Sequence, residues 1–415
     1  MGPPRPAPIG FSPYPAPGLP PLPSPPQSTT PGLAPPGRAG DHTAPAPPRP
    51  AGSVHEAALL AQPGFADVDG SSASIAAAIE NGTPHPLQER VVTVVERAFP
   101  SAVQARLQLG QSTSHHTAVR WLSRYSGSTA RVEYAHMGAS LGLTAGRLQP
   151  RGPSLASLQQ EDRAAALGWD PSHPPSIPSG VELDIRGAQF CALVWLYQGT
   201  ATVVPRVLES YVADGPAWRR RVARAPAYSP AATGRSGPVL EDELKSLLVT
   251  SLGGGTWQTG HARMGIPRSA PPPPEVPRFF KAVRDLRDRI PSHTAIGRLL
   301  AARRVTQCPR SRPQKRLPGS AHGTPLQAGC TPASPCKEGL NWVCSTALGT
   351  GESTCLLALG RVTAALGYHL IAFNNDGAFI SPPSTRAWHA GEGEWLARGA
   401  SVLLRRWMRV PIEVA

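Results

Sequence analysis

Proline placement decides how much of this chain can fold. Of 50 prolines in 415 residues, 19 lie in the first 50. Stretches such as Pro20 to Pro26 and Pro45 to Pro50 fix φ, remove backbone donors and leave little apolar surface to bury, which favours solvated polyproline II. Residues 1–55 are therefore expected to be a disordered proline-rich arm, of a kind that SH3 or WW modules bind. Folding is expected to begin after it.

Charge gives the next constraint. Lys and Arg number 41 against 27 acids, a formal surplus of +14, and such a surplus suits a polyanionic partner. A coding bias that enriches Pro, Ala, Gly and Arg together produces the same surplus, so charge alone does not decide. The chain has no run of 18 apolar residues, which excludes a spanning helix. Met1 to Pro6 carries no apolar signal core. The expectation is a soluble intracellular protein without a membrane partner, nuclear or organellar. The six cysteines follow no CxxC spacing and are expected as reduced thiols, a loose zinc set of Cys308, Cys330, Cys336 and Cys344 being the alternative.

Along the chain, His85 to Phe99 has apolar residues at helical intervals, and Thr117 to Tyr125 reads as an amphipathic helix. Ser154 to Leu167 reads as a helix capped by Ser154, and Pro171 to Pro178 then breaks the chain. Val181 to Ile185 has a strand pattern and runs into Ala188 to Tyr197, which is apolar nearly all round. Glu241 to Leu252 is an amphipathic helix stopping at Gly253-Gly254-Gly255, and Arg278 to Ile290 is a charged one. Residues 303–340 read as an irregular basic insertion, with Arg310 to Arg316 similar to a nuclear-localisation patch. Glu352 to Leu366 is predicted as a helix, and Tyr368 to Phe373 and Ala378 to Ile380 as strands around the turn Asn374 to Gly377.

Two acids stand where chemistry is possible. Asp184 ends a strand before a buried helix, and Asp376 lies at a hairpin. A sheet pairing those strands would bring the carboxylates together, and hard oxygen ligands on neighbouring strands are what a two-metal nucleotidyl transfer needs. Lys245, on the helix between them in sequence, could neutralise a triphosphate. Each feature has a plainer reading. Asp376-Gly377 is a common pair for closing a type I′ hairpin, Asp184 could cap the following helix, and Lys245 could be a solvated charge.

Taken in order, the three segments resemble the palm and fingers of single-subunit nucleic-acid polymerases of viruses and mobile elements. LDIRGAQFCAL (Leu183 to Leu193) matches the strand-ending Asp with its buried helix. KSLLVTSLGG (Lys245 to Gly254) matches the Lys-bearing fingers helix, and IAFNNDGAFI (Ile371 to Ile380) the hairpin Asp. Gly146-Arg147-Leu148 and Ser157 to Arg163 are similar to the segment that precedes the first motif. Two positions depart: Glu241 stands where the family has an Arg one turn before the Lys, and Leu252 where it has a Tyr before the Gly.

The resemblance implies an α/β (α+β) right-hand polymerase, with an antiparallel palm sheet and helical fingers behind the arm. It implies an α-rich N-terminal region over 56–180, the palm's first half and fingers over 181–302, the insertion 303–340, and the palm's second half with a C-terminal helix over 341–415. Asp184 and Asp376 would be catalytic and hold Mg²⁺ or Mn²⁺. Lys245, Gly253 and Gly254 would meet the nucleoside triphosphate, and Gln189, five residues after Asp184, would pack against the ribose and lean towards deoxynucleotides. Arg147, Arg163, Arg219, Arg220 and Arg221 would contact a DNA template-primer, and Arg405-Arg406-Trp407 could add phosphate contacts and a stacking face. The implied activity is DNA polymerase-like. The alternatives are a primase or phage-type RNA polymerase on the same palm, and a non-catalytic basic scaffold that binds nucleic acid by charge.

Overall fold

A computed structural model describes residues 68–138, 142–168, 180–229, 233–234, 237–266, 271–305, 337–374, 376–382, 391–405, 407–408 and 412–414. The proline-rich arm, the break at Pro171 to Pro178, Arg310 to Arg316, Arg406, and Cys308, Cys330 and Cys336 lie outside the described residues. What is described is a mixed fold of helices and two small antiparallel sheets.

The first sheet has the order β1 (Val91–Arg97), β2 (Thr129–His136), β3 (Leu148–Pro150). Helix α1 (Ser72–Asn81) precedes it, α2 (Pro100–Gln108) and α3 (His115–Leu122) lie between β1 and β2, and α4 (Gln160–Ala166) follows β3. β1 corrects the helix expected over His85 to Phe99. Val91, Val92, Thr93, Val94 and Val95 are five successive β-branched residues, stiff at χ1 and suited to a pleated surface. They pair with β2 from Val91↔Ala135 to Arg97↔Thr129. The helix expected over Ser154 to Leu167 is also two pieces. Ser154 and Ser157 form a reciprocal cap around a single 3-10 turn, and an extended residue, Leu158, separates that turn from α4.

The second sheet, β4 (Val181–Ile185), β5 (His369–Phe373), β6 (Gly377–Ser381) and β7 (Ile412–Val414), has the order β5-β6-β4-β7. Every residue of β6 is buried. Ala378 and Ile380 join the main core, while Phe379 packs with Trp121, Leu155 and Leu167 in a second cluster, so both faces of the sheet are covered. The sheets meet at Tyr134, whose ring stands edge-on to Phe373 at 5.3 Å and whose hydroxyl shares its one proton between the Phe373 carbonyl and Glu96, each at 3.3 Å.

Helices make the remainder: α5 (Ala188–Leu196), α6 (Arg206–Ala213), α7 (Gly215–Ala223), α8 (Gly237–Leu252), α9 (Trp257–Arg263), α10 (Glu275–His293), α11 (Ala295–Val305), α12 (Lys337–Ala365) and α13 (Glu392–Leu404). Phe190, Tyr211, Trp218 and Phe279, with ring centroids 5.1 to 5.6 Å apart, tie α5, α6, α7 and α10 together. Aromatic pairs in such edge-on geometry add to what their buried area contributes. α12 begins at Lys337, well before the Glu352 expected from sequence. Its Gly349 and Gly351 look like helix breakers but mark close approach. A Cβ at Gly351 would stand 2.6 Å from the Ala192 Cβ of α5, and one at Gly349 would stand 2.6 Å from the Arg147 backbone nitrogen. Among the described residues, no helix is long and apolar enough to cross a membrane.

Candidate active site

β4 and β6 bring the two strand-end acids together. Asp184 pairs with Gly377 in register, and the Ile185 N–H donates to the Asp376 carbonyl at 2.8 Å. A Cβ at Gly377 would lie 2.5 Å from the Leu183 carbonyl oxygen, so only glycine permits this strand approach. Gly377 does not have positive φ. The turn is closed instead by Asn374 and Gly377, whose backbones exchange bonds of 2.9 and 3.4 Å with Asp376 between them. The Asp-Gly type I′ reading does not describe it. Nor is Asp184 a helix cap: α5 starts from Gly187, at φ 65°, without a side-chain capping bond.

That left-handed Gly187 turns the chain from β4 into α5 within two residues and puts Gln189 on the first turn of the helix. Facing it is a carboxylate the sequence reading did not single out as functional, Glu352, in the middle of α12 and 2 % exposed. Both of its oxygens accept from Arg147, from Nε and Nη2 at 2.9 Å each, and the Gln189 side chain lies near enough to favour its charged form. Burial pushes the Glu352 carboxyl above its ordinary range, Arg147 pulls it back, and Asp376 nearby adds to the rise. For Arg147, burial opposes the charge, but the bonds and charge of Glu352, helped by Asp376, leave its pKa above the ordinary value.

The opposite wall comes from α6, α7 and α8. Arg219 of α7 donates to the Tyr211 hydroxyl at 3.3 Å, while α8 buries Leu240, Leu244, Leu247, Leu248 and Leu252 and leaves Lys245 and Val249 exposed, one turn apart. Together these surfaces enclose a cleft of about 320 Å³, lined by Asp184, Asp376, Glu352, Arg147, Arg186, Gln189, Arg219 and Lys245, with Phe190, Tyr211, Val212 and Val249 as its apolar part. Four basic and three acidic side chains thus share one concave surface. Arg186 and Glu352 were missed by sequence reasoning. A visible signal for Glu352 was the polar run Thr350-Gly351-Glu352-Ser353-Thr354 directly before the apolar run Cys355 to Leu359.

Asp184, Asp376, Lys245, Gln189, Arg147 and Arg219 therefore line one cleft, and the other sequence-derived candidates lie elsewhere. Gly253 and Gly254 end α8: Gly254 takes φ 80° against the Arg287 guanidinium, and the Gly255 N–H returns to the Thr250 carbonyl at 2.9 Å. They act as a helix C-cap. Arg163 lies over the Phe379 ring at 5.6 Å, and Arg220 and Arg221 are exposed on α7. Trp407 is buried and donates to the Val68 carbonyl at 3.0 Å, so it offers no stacking face. Cys344 is buried. Among the described residues, no three His, Cys, Asp or Glu side chains gather as a metal cluster.

A second groove, of about 460 Å³, lies between α3, β2, β3 and the β5–β6 turn, lined among others by Arg120, Gln149, Ser157, Phe373 and Asn374.

No family model matches the chain, and no curated protein matches it. Among solved structures, it is similar to the POL domain of Pol1 from M. smegmatis, determined in complex with DNA primer-template and dNTP. The TM-score is 0.41 at 12 % identity, over 83 % of this chain and 62 % of that one. The chain thus spans less than two thirds of the structure it matches.

Proposed function

We propose that the cleft carries out template-directed nucleotidyl transfer of the DNA-polymerase kind, on a palm formed by β4, β5, β6 and β7, with α8 as the fingers helix. The observation that carries this reading is the pairing of Asp184 with Gly377 and of the Ile185 N–H with the Asp376 carbonyl, which sets two carboxyl-bearing residues side by side opposite Lys245 and Arg219. Two hard oxygen donors on adjacent strands fit Mg²⁺ or Mn²⁺. Magnesium is commonly held by one or two carboxylates plus substrate phosphates and water, without a full protein cage. Asp184 and Asp376 would hold it, and when bound it would activate the attacking hydroxyl and neutralise the triphosphate.

The chain's own residues do the rest. Lys245 and Arg219 meet the negative charge of the triphosphate, and Gln189 and the apolar side of the cleft pack the nucleoside. The primer's 3′ oxygen then forms its bond to the α-phosphorus while the bond to the bridging oxygen breaks and pyrophosphate leaves. Such chemistry rests on positioning and electrostatics more than on covalent participation of the protein.

The test is primer extension with Mg²⁺ and labelled deoxynucleotides. Asp184→Asn and Asp376→Asn are expected to lose activity by on the order of 10²- to 10³-fold while still binding primer-template. Normal extension by either variant would refute the assignment. A folded wild type that binds DNA without extending it would favour the scaffold reading.

A further inference from the structure

Glu352 is the carboxylate of the cleft that two nitrogens of one guanidinium hold. The Arg147 fork takes both oxygens in bidentate geometry, a strong form of charge-assisted hydrogen bond. The backbone on either side of Arg147 is fixed to α12 on either side of Glu352. The Gly146 N–H donates to Thr350 Oγ1 at 2.8 Å, the Leu148 N–H donates to Ser353 Oγ at 2.8 Å, and that hydroxyl donates to the Gly146 carbonyl at 2.9 Å. Gly349 admits the crossing, since any Cβ there would strike Arg147 N. A buried ion pair is weak evidence for stability, and three separate hydrogen bonds around one pair point to placement. The Arg147 side chain remains 28 % exposed, and the residue lines the cleft.

We propose that Glu352 is a positioning residue: it clamps the Arg147 guanidinium so that it faces the cleft's occupant, and it is not a third metal ligand. This rests on the polymerase reading above, and the test separates the two. Glu352→Gln, Arg147→Gln and the double variant are melted without ligand, and wild type, Glu352→Gln and Glu352→Asp are assayed for dNTP binding and for extension against Mg²⁺ concentration.

The clamp predicts that the double variant melts no lower than the worse single variant, because either substitution alone removes the whole interaction. Glu352→Gln should weaken dNTP binding by about 10- to 100-fold, with the Mg²⁺ half-saturation of its residual activity moved less than about twofold. Glu352→Asp should restore part of the affinity. A rightward shift of the Mg²⁺ curve by about tenfold in Glu352→Gln would make Glu352 a metal ligand and overturn the proposal. So would additive melting losses, which need neither primer nor metal to be read. A wild type that extends no primer sinks the polymerase reading alone, and the melting cycle still decides the clamp.

Discussion

Glu96 has no cation bonded to it in its buried site on β1. It accepts from the Tyr125 and Tyr134 hydroxyls at 3.1 and 3.3 Å and from the Leu155 N–H at 3.1 and 3.2 Å. These bonds hold the 3-10 turn after β3 against β1. Burial nevertheless dominates them and raises the carboxyl from 4.5 to about 7. Between those two values the folded state keeps a proton that the unfolded state has lost, so this group's contribution to stability falls as pH rises from 4.5 to 7 and is level above. The full loss is about 3 kcal/mol. Glu96→Gln is neutral throughout and removes the dependence. Thermal melts at pH 5 and pH 8 should therefore show the variant gaining on wild type at the higher pH, and parallel shifts at both would contradict the assignment. Legibility at this scale was uneven. Asp184 and Asp376 could be read from strand-end position, whereas Glu96 and Glu352 could not, because a single charged residue in a strand or helix window looks solvated until its tertiary neighbours are known.

At the scale of elements, β4 and α5 were legible from the sequence because their patterns are unmixed: a short alternating strand, then a helix apolar nearly all round, with a glycine between. β1 and α12 were not. Helical spacing of apolar residues in His85 to Phe99 competed with five consecutive β-branched residues, and the pairing with β2 decided for the strand. In α12 the expected start at Glu352 fell short of Lys337, and the glycines at 349 and 351 serve contact with the Arg147 segment and with α5. Gly351→Ala tests that role. Alanine favours a helix intrinsically, but its methyl would lie 2.6 Å from the Ala192 Cβ and 3.1 Å from the Trp195 ring. Overpacking of this kind costs about 1–3 kcal/mol, so a lowered melting temperature is expected. An unchanged or raised one would show that α12 and α5 can part without penalty.

For the whole molecule, the order of strand acid, Lys-bearing helix and hairpin acid was readable along the chain. The way distant segments close the cleft was not, since Arg147 and Glu352 meet across 205 residues of sequence. The formal surplus of +14 belongs to this scale too, because charge acts on a polyanion through the summed field rather than through one contact. If primer-template is the partner, six to ten phosphate contacts would make the logarithm of affinity fall against the logarithm of salt with a slope of about −5 to −9. Asp376→Asn should leave that slope where it is in wild type while cutting extension as above, because the site's chemistry and the phosphate contacts are separate. Replacing Arg220 and Arg221 together by Ala, on the exposed face of α7, should flatten the slope by about two and leave the cleft intact. Fluorescence anisotropy with a labelled primer-template over a salt series reads all three proteins. An unchanged slope in the double Arg variant would place the phosphate track elsewhere on the surface. A slope that changed with Asp376→Asn would mean that the cleft carboxylates themselves shape how the backbone is held.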